Sequence, residues 1–153
     1  MNTEVALDSI KAVILEKIEE TLTTLENEAI ATTSTPELAE SKIGDCMPTE
    51  FTQFPAIFIR ANTSSPKNDQ YQWQERTLNF VIVAWVVEVD AELLHRFIVR
   101  YGDAIGRILK DPDNWSGYLS SPVVGTTSYS DIYTVEHGLS QGCSIEGTIE
   151  FFI

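Results

Sequence analysis

Residues 76–89 read Arg-Thr-Leu-Asn-Phe-Val-Ile-Val-Ala-Trp-Val-Val-Glu-Val and pass, without Gly or Pro, straight into Asp-Ala-Glu-Leu-Leu-His-Arg-Phe-Ile-Val-Arg-Tyr at residues 90–101. The first half is β-branched and aromatic, and from Phe80 to Val87 it is apolar at every position. A strand of that kind is expected at the centre of a sheet with both faces covered. The second half changes period. Leu94, Phe97, Ile98, Tyr101, Ile105 and Ile108 recur at helical spacing, so one face of a helix is apolar. Asp90 is placed to cap that helix through its carboxylate, Glu92 adds a favourable charge in the first turn, and Asp111-Pro112 ends it.

Working outward, residues 5–30 carry Leu7, Ile10, Ile14, Ile18, Leu22, Leu25 and Ala29 in a single stripe, with Glu16, Glu19, Glu20 and Glu26 largely off it. This predicts a long amphipathic helix with an acidic, solvated back. Residues 31–50 lose the period and gain Thr, Ser, Pro36, Gly44 and Pro48, which predicts a connection with one short helical turn at 37–41. Pro55 introduces a short strand at 56–60. The polar, turn-rich residues 62–74 then form either a hairpin loop or a projecting arm. A weaker strand is expected at 123–129, and a last one where Ile145, Ile149, Phe151 and Ile153 alternate with polar residues. The expectation is one α/β (α+β) domain: a mostly antiparallel four-stranded sheet packed with two main helices.

With 153 residues, 43% of them hydrophobic, the chain is long enough to bury a core as a single domain. Its formal net charge of −13 would repel phosphate backbones, which argues against nucleic-acid binding as the main activity. The eight apolar residues 80–87 fall far short of the ~20 needed to cross a bilayer, and the N-terminus lacks a basic and then apolar leader. A soluble protein made in the cytoplasm is expected. Cys46 and Cys143 are far apart, without a C-x-x-C pair, and read as ordinary thiols.

Motifs that carry chemistry fare poorly. Gly138-Leu-Ser140-Gln-Gly142 matches G-x-S-x-G, yet neither Asp nor His in the required order follows Ser140, so the string reads as a turn into the last strand. His95, His137, Cys46 and Cys143 lack the close local pairs of a structural zinc site, and His95 is expected on the flank of the second helix. Glu146 and Glu150 fall on the polar face of the last strand, where nothing would tune them as acid and base. No phosphate-loop, dinucleotide or zinc-protease string occurs. Of the tryptophans, Trp85 reads as core, whereas Trp73 and Trp115 read equally as core edge or interface. Catalytic residues, cofactors and metals are therefore expected to be none.

The order of elements, together with Phe-Pro-Ala-Ile-Phe-Ile at 54–59, Tyr-Gly-Asp-Ala-Ile-Gly-Arg-Ile-Leu at 101–109, Asp-Pro-Asp-Asn-Trp at 111–115 and Gly-Thr-Ile-Glu-Phe-Phe-Ile at 147–153, resembles the tail terminator (tail completion) proteins of tailed bacteriophages. The resemblance spans nearly the whole chain and rests on pattern and order. It implies a non-enzymatic virion protein, assembled in the host cytoplasm as a hexameric ring. That ring would cap the head-proximal end of the tail tube, stop tube growth and meet a neck or head-completion protein. DNA would pass through its channel without specific binding, and no membrane would be involved. Six copies at −13 each would carry about −78 formal charges, and acidic groups along the channel would let DNA slide. The family supplies no catalytic residues.

Candidate contact residues are Asn62, Lys67, Asp69, Tyr71 and Trp73 in the polar segment, Trp115, and Phe152, which alternation sets on the face opposite Phe151 and Ile153. Packing of the last strand under the first helix of the same subunit is an equal reading for Phe152. Another neck or head-tail connector protein is the alternative within the same class. From a different class, the alternative is a small cytoplasmic binding module or enzyme with a pocket beside the second helix.

Overall fold

The computed structural model describes residues 2–66 and 75–152, which form a single α+β domain with two helices and a six-stranded, mostly antiparallel sheet. Helix α1 spans Thr3–Ala29, and Asn2 caps it by accepting from the Val5 N–H at 2.9 Å. Ala6, Leu7, Ile10, Ile14, Ile18 and Leu22 are buried along its stripe. Ala29, expected on that stripe, is exposed, because Ile30 turns into the left-handed region at φ 51° and the helix ends there.

Strands β1 (Glu40–Ile43), β2 (Ala56–Pro66) and β3 (Glu75–Glu88) come next, then helix α2 (Ala91–Lys110) and strands β4 (Val123–Tyr129), β5 (Tyr133–Val135) and β6 (Gly138–Phe152). The sheet order is β1-β2-β3-β6-β4, with β5 continuing the line of β4 along β6. Asp90 caps α2 through bonds from the Glu92 and Leu93 N–H groups, as its position in the sequence predicts.

Several sequence expectations are corrected. The sheet has six strands, not four. No helical turn forms at 37–41, and residues 40–43 are extended. They form β1, parallel to β2, because the Ala39 and Glu40 N–H groups bond Pro55 O and draw the segment against the edge of β2. Strand β2 does not stop at Arg60. Its polar residues 63–66 stay paired with β3, past an irregularity at Asn62, so Asn62 is a bulge residue within a long hairpin and not part of a loop. The last strand starts at Gly138, so the whole G-x-S-x-G string is strand, joined to β5 by a tight turn at Glu136-His137.

One face of the sheet carries both helices. Leu78, Phe80, Ile82, Ala84 and Val86 of β3 and Cys143, Ile145, Ile149 and Phe151 of β6 are buried in a common core with the stripes of α1 and α2. Each such aliphatic or aromatic side chain taken out of water contributes about 1.5–3 kcal/mol before entropy is counted. The other face is not layered in the same way. Among the described residues, only a patch at 46–54 lies over it, where Phe51 packs with Ala56 and Phe58, and Cys46, Phe54, Val83 and Trp85 border the cluster. The expectation of cover on both faces of β3 therefore holds for one face and only one corner of the other. Among the described residues no helix is long and apolar enough to cross a membrane.

Candidate interaction surface

Alternation along β3 and β6 sends Asn79, Val81, Val83, Trp85 and Val87 and, opposite them, Thr148, Glu146, Ser144, Gly142 and Ser140 to the face without helices. At its centre lies a polar ladder across three strands: Asn79 donates to Thr63 Oγ1 at 2.6 Å and accepts from Thr148 Oγ1 at 2.6 Å. Such cross-strand side-chain bonds keep neighbouring strands in register. Toward the β5 end the same face becomes aromatic. Trp85 lies over Gly142, where a Cβ would come within 2.7 Å of the indole, and its ring centroid is 6.5 Å from that of Tyr133. Val83, Trp85, Ser128, Ser130, Gly142 and Ser144 border a shallow hollow of about 230 Å³. Among the described residues, neither Trp85 Nε1 nor Ser140 Oγ, both shielded from water, has a hydrogen-bond partner.

The sequence-predicted contact residues divide. Phe152 is 51% exposed on the helix-free face, while its neighbour Phe151 is 1% exposed in the core, as alternation requires. Asn62 is exposed at the β2 bulge and accepts from Arg60. Trp115 is no surface anchor. It is 2% exposed, packs edge-on against Tyr118, and donates from Nε1 to Ile108 O at 3.1 Å, because the 3-10 turn Pro112–Trp115 folds the indole back onto the end of α2. Lys67, Asp69, Tyr71 and Trp73 lie outside the described residues. Trp85, expected in the core, sits at the margin of the small second cluster and is only partly buried.

The serine of the G-x-S-x-G string and the buried cysteine are not set up as nucleophiles. Ser140 is in mid-strand and fully buried, not on a strand-to-helix turn. Burial pushes the Cys143 thiol up to about 12, opposite to what a nucleophile needs. Among the described residues, no group of three or more His, Cys, Asp or Glu side chains is placed to hold a metal ion. His95 does lie on the flank of α2, with Nδ1 3.1 Å from Gln141 Oε1. Since Gln141 Nε2 donates to Ser130 O at 3.0 Å, its Oε1 is the acceptor and His95 Nδ1 carries the proton. The histidine thereby ties α2 to the junction of β4 and β5.

Beside α2 runs an open groove of about 740 Å³, floored by Leu25 and Val99 and bordered by Arg96, Arg100 and Arg107. Its cations are already engaged. Arg107 makes a two-pronged pair with Glu28 at 2.9 and 2.6 Å, Arg96 pairs with Glu92 at 2.9 Å, and Arg100 donates to Thr33 O and Thr35 Oγ1. The hydrogen bonds from Arg107 hold the Glu28 carboxyl below its ordinary range. These contacts fasten α2 to α1 and to the segment after it.

The feature that sequence reasoning missed is a pair of uncharged strand edges at 61–66 and 123–129. In a chain with 22% charged residues, 61–66 and 115–130 contain none, a signal visible in the sequence. No family model of known proteins matches this chain, and no curated protein matches it either.

Proposed function

We propose that the chain is a structural assembly protein of a tailed bacteriophage, a tail terminator that ends tube growth at the head-proximal end and offers a docking face to the neck. The observation that carries this reading is the one-sided sheet. Both helices pack on one face; on the other, Tyr133 and Phe152 are about half exposed and Trp85 is partly buried at the margin of the 46–54 patch, with no further layer above them among the described residues. Apolar side chains left open beside a polar ladder are what a protein-binding surface needs. The order of elements and the strings quoted above support the resemblance to that family, and the charge of −13 suits passage of DNA without adhesion.

The rival reading, an enzyme or small-molecule binder, would have to use the groove beside α2. There the three arginines are held by Glu28, Glu92 and residues 33 and 35. A different neck protein would share the open face and differ in its partner. Mass measurement of the purified protein, alone and mixed with tail tubes, separates these readings. A ring of about six copies, formed alone or only on tubes, is the expected result. A monomer that ignores tubes would overturn the terminator reading.

A further inference from the structure

We propose that copies of this chain join head to tail by continuing the sheet, the free stretch of β2 in one copy pairing with β4 of the next. The inference deepens the ring-forming reading and rests on it for the occupant, a second copy. What it adds is the surface.

Strand β1 pairs with only Ala56–Ile59, the first four residues of β2. Beyond that point residues 60–66 pair with β3 on one side, and among the described residues no strand lies on the other. At the far side of the sheet β4, Val123–Tyr129, pairs with β6 and has no outer neighbour among the described residues. The two free stretches are both seven residues long. Alternate N–H and C=O groups along such edges point away from the sheet and are satisfied by water or by another strand.

Proteins usually protect an edge by keeping it short or charged. Strand β1 has both protections: four residues, with Glu40 and Lys42 on it. Strand β5 has three residues, followed by Glu136. The free stretches are longer and carry a single charge between them. Residues 61–65 are all exposed and uncharged, Val123 is 71% exposed, and β4 is uncharged throughout. Arg60, the one charge on the β2 stretch, is 3.9 Å from Asp45. Two copies at −13 each repel except where both surfaces are neutral, and these two edges are such surfaces.

Each edge is interrupted once, at Asn62 and between Val124 and Thr127. Bulges bend a strand and increase its twist, so copies joined this way turn relative to one another and do not stack as a flat fibre. A heterologous contact of that kind closes into a ring if the rotation allows.

The test uses three variants of the full chain, each checked for native circular dichroism, with the particle mass measured alone and with tail tubes. Thr126→Lys with Ser128→Lys charges the β4 edge; Asn62→Glu with Ser65→Glu charges the β2 edge; the third variant carries all four changes. Each single-edge variant is expected to fall from multimer to monomer. An equimolar mixture of the two should recover multimers in which the variants alternate, one junction pairing two unaltered edges and the next a Lys edge with a Glu edge, and the four-fold variant should recover multimers through opposite charges at every junction. Wild-type assembly by a single-edge variant would overturn the inference, and so would a four-fold variant and a mixture that both stay monomeric, or a wild-type chain that is monomeric with and without tubes. Rings that form on tubes regardless of the edges would leave the terminator reading standing. Edge-dependent multimers that ignore tubes would sink that reading and keep this inference.

Discussion

Gly147 faces Phe80 across the β3–β6 ladder, and the Phe80 ring occupies the space a side chain at 147 would need: a Cβ would lie 2.8 Å from Phe80 Cε2. Phe80 is fully buried beneath the helices and has nowhere to move. Gly147→Ala is therefore expected to destabilise by about 1–3 kcal/mol through overpacking. Gly106, inside α2 with no heavy atom within 4 Å of its would-be Cβ, is the control. Gly106→Ala should stabilise by about 0.5–1 kcal/mol through helix propensity. Urea unfolding of both variants reads the two signs.

Phe151 and Phe152 are adjacent in sequence and opposite in consequence. Phe151→Ala should cost about 3–5 kcal/mol by opening a cavity in the core. Phe152→Asp should leave the unfolding midpoint nearly unchanged and weaken tube binding in a pull-down with tail tubes. Normal tube binding by the folded Phe152→Asp protein would remove that residue from the contact surface.

The Tyr101 hydroxyl donates to Pro36 O at 2.6 Å in a site where burial raises the phenol well above its ordinary pKa. Tyr101→Phe leaves that carbonyl without its donor and is expected to cost about 1–2 kcal/mol. Hydrogen exchange should quicken first around residues 35–40, the segment that the bond holds against α2.

Glu26 accepts from the Thr35 N–H at 2.7 Å, and this backbone bond is the main reason its carboxyl lies below the ordinary 4.5. A depressed folded-state pKa adds stability above the unfolded value, and that stability is lost as pH falls through the folded value. Wild-type protein should thus lose more of its thermal stability than Glu26→Gln when pH is lowered from 6 toward and below about 4.5. Parallel melting curves against pH would refute the role of Glu26.

The parts of this fold that follow local rules were legible. The α1 stripe, the Asp90 cap, the bounds of β4 and the Phe151–Phe152 alternation each depend on residues within a few positions of one another. What escaped depends on distant partners. Glu-Ser-Lys-Ile at 40–43 has no strand pattern of its own and becomes one only beside β2. Asn-Thr-Ser-Ser at 62–65 reads as loop, yet Thr63 is held by Asn79, sixteen residues away. Trp115 was ambiguous because its burial is set by a turn that returns it to Ile108 O. The open face was hidden for a similar reason. Phe80–Val87 is apolar on both sides whether a layer, a corner patch or another protein covers the second one.

The position of β6 between β3 and the β4–β5 line has a kinetic corollary. The strand that joins the two halves of the sheet is the last in chain order, and Leu78 must find Ile149 across seventy residues. A chain extended only as far as Glu136 can close the β2–β3 hairpin and wind both helices, but it has no template for β4 or β5. Pairings of such long sequence separation slow folding, so rapid mixing should show helical signal ahead of a later, single sheet-forming phase. Until that phase is complete neither free edge exists in its final form, which delays association of copies until each is whole.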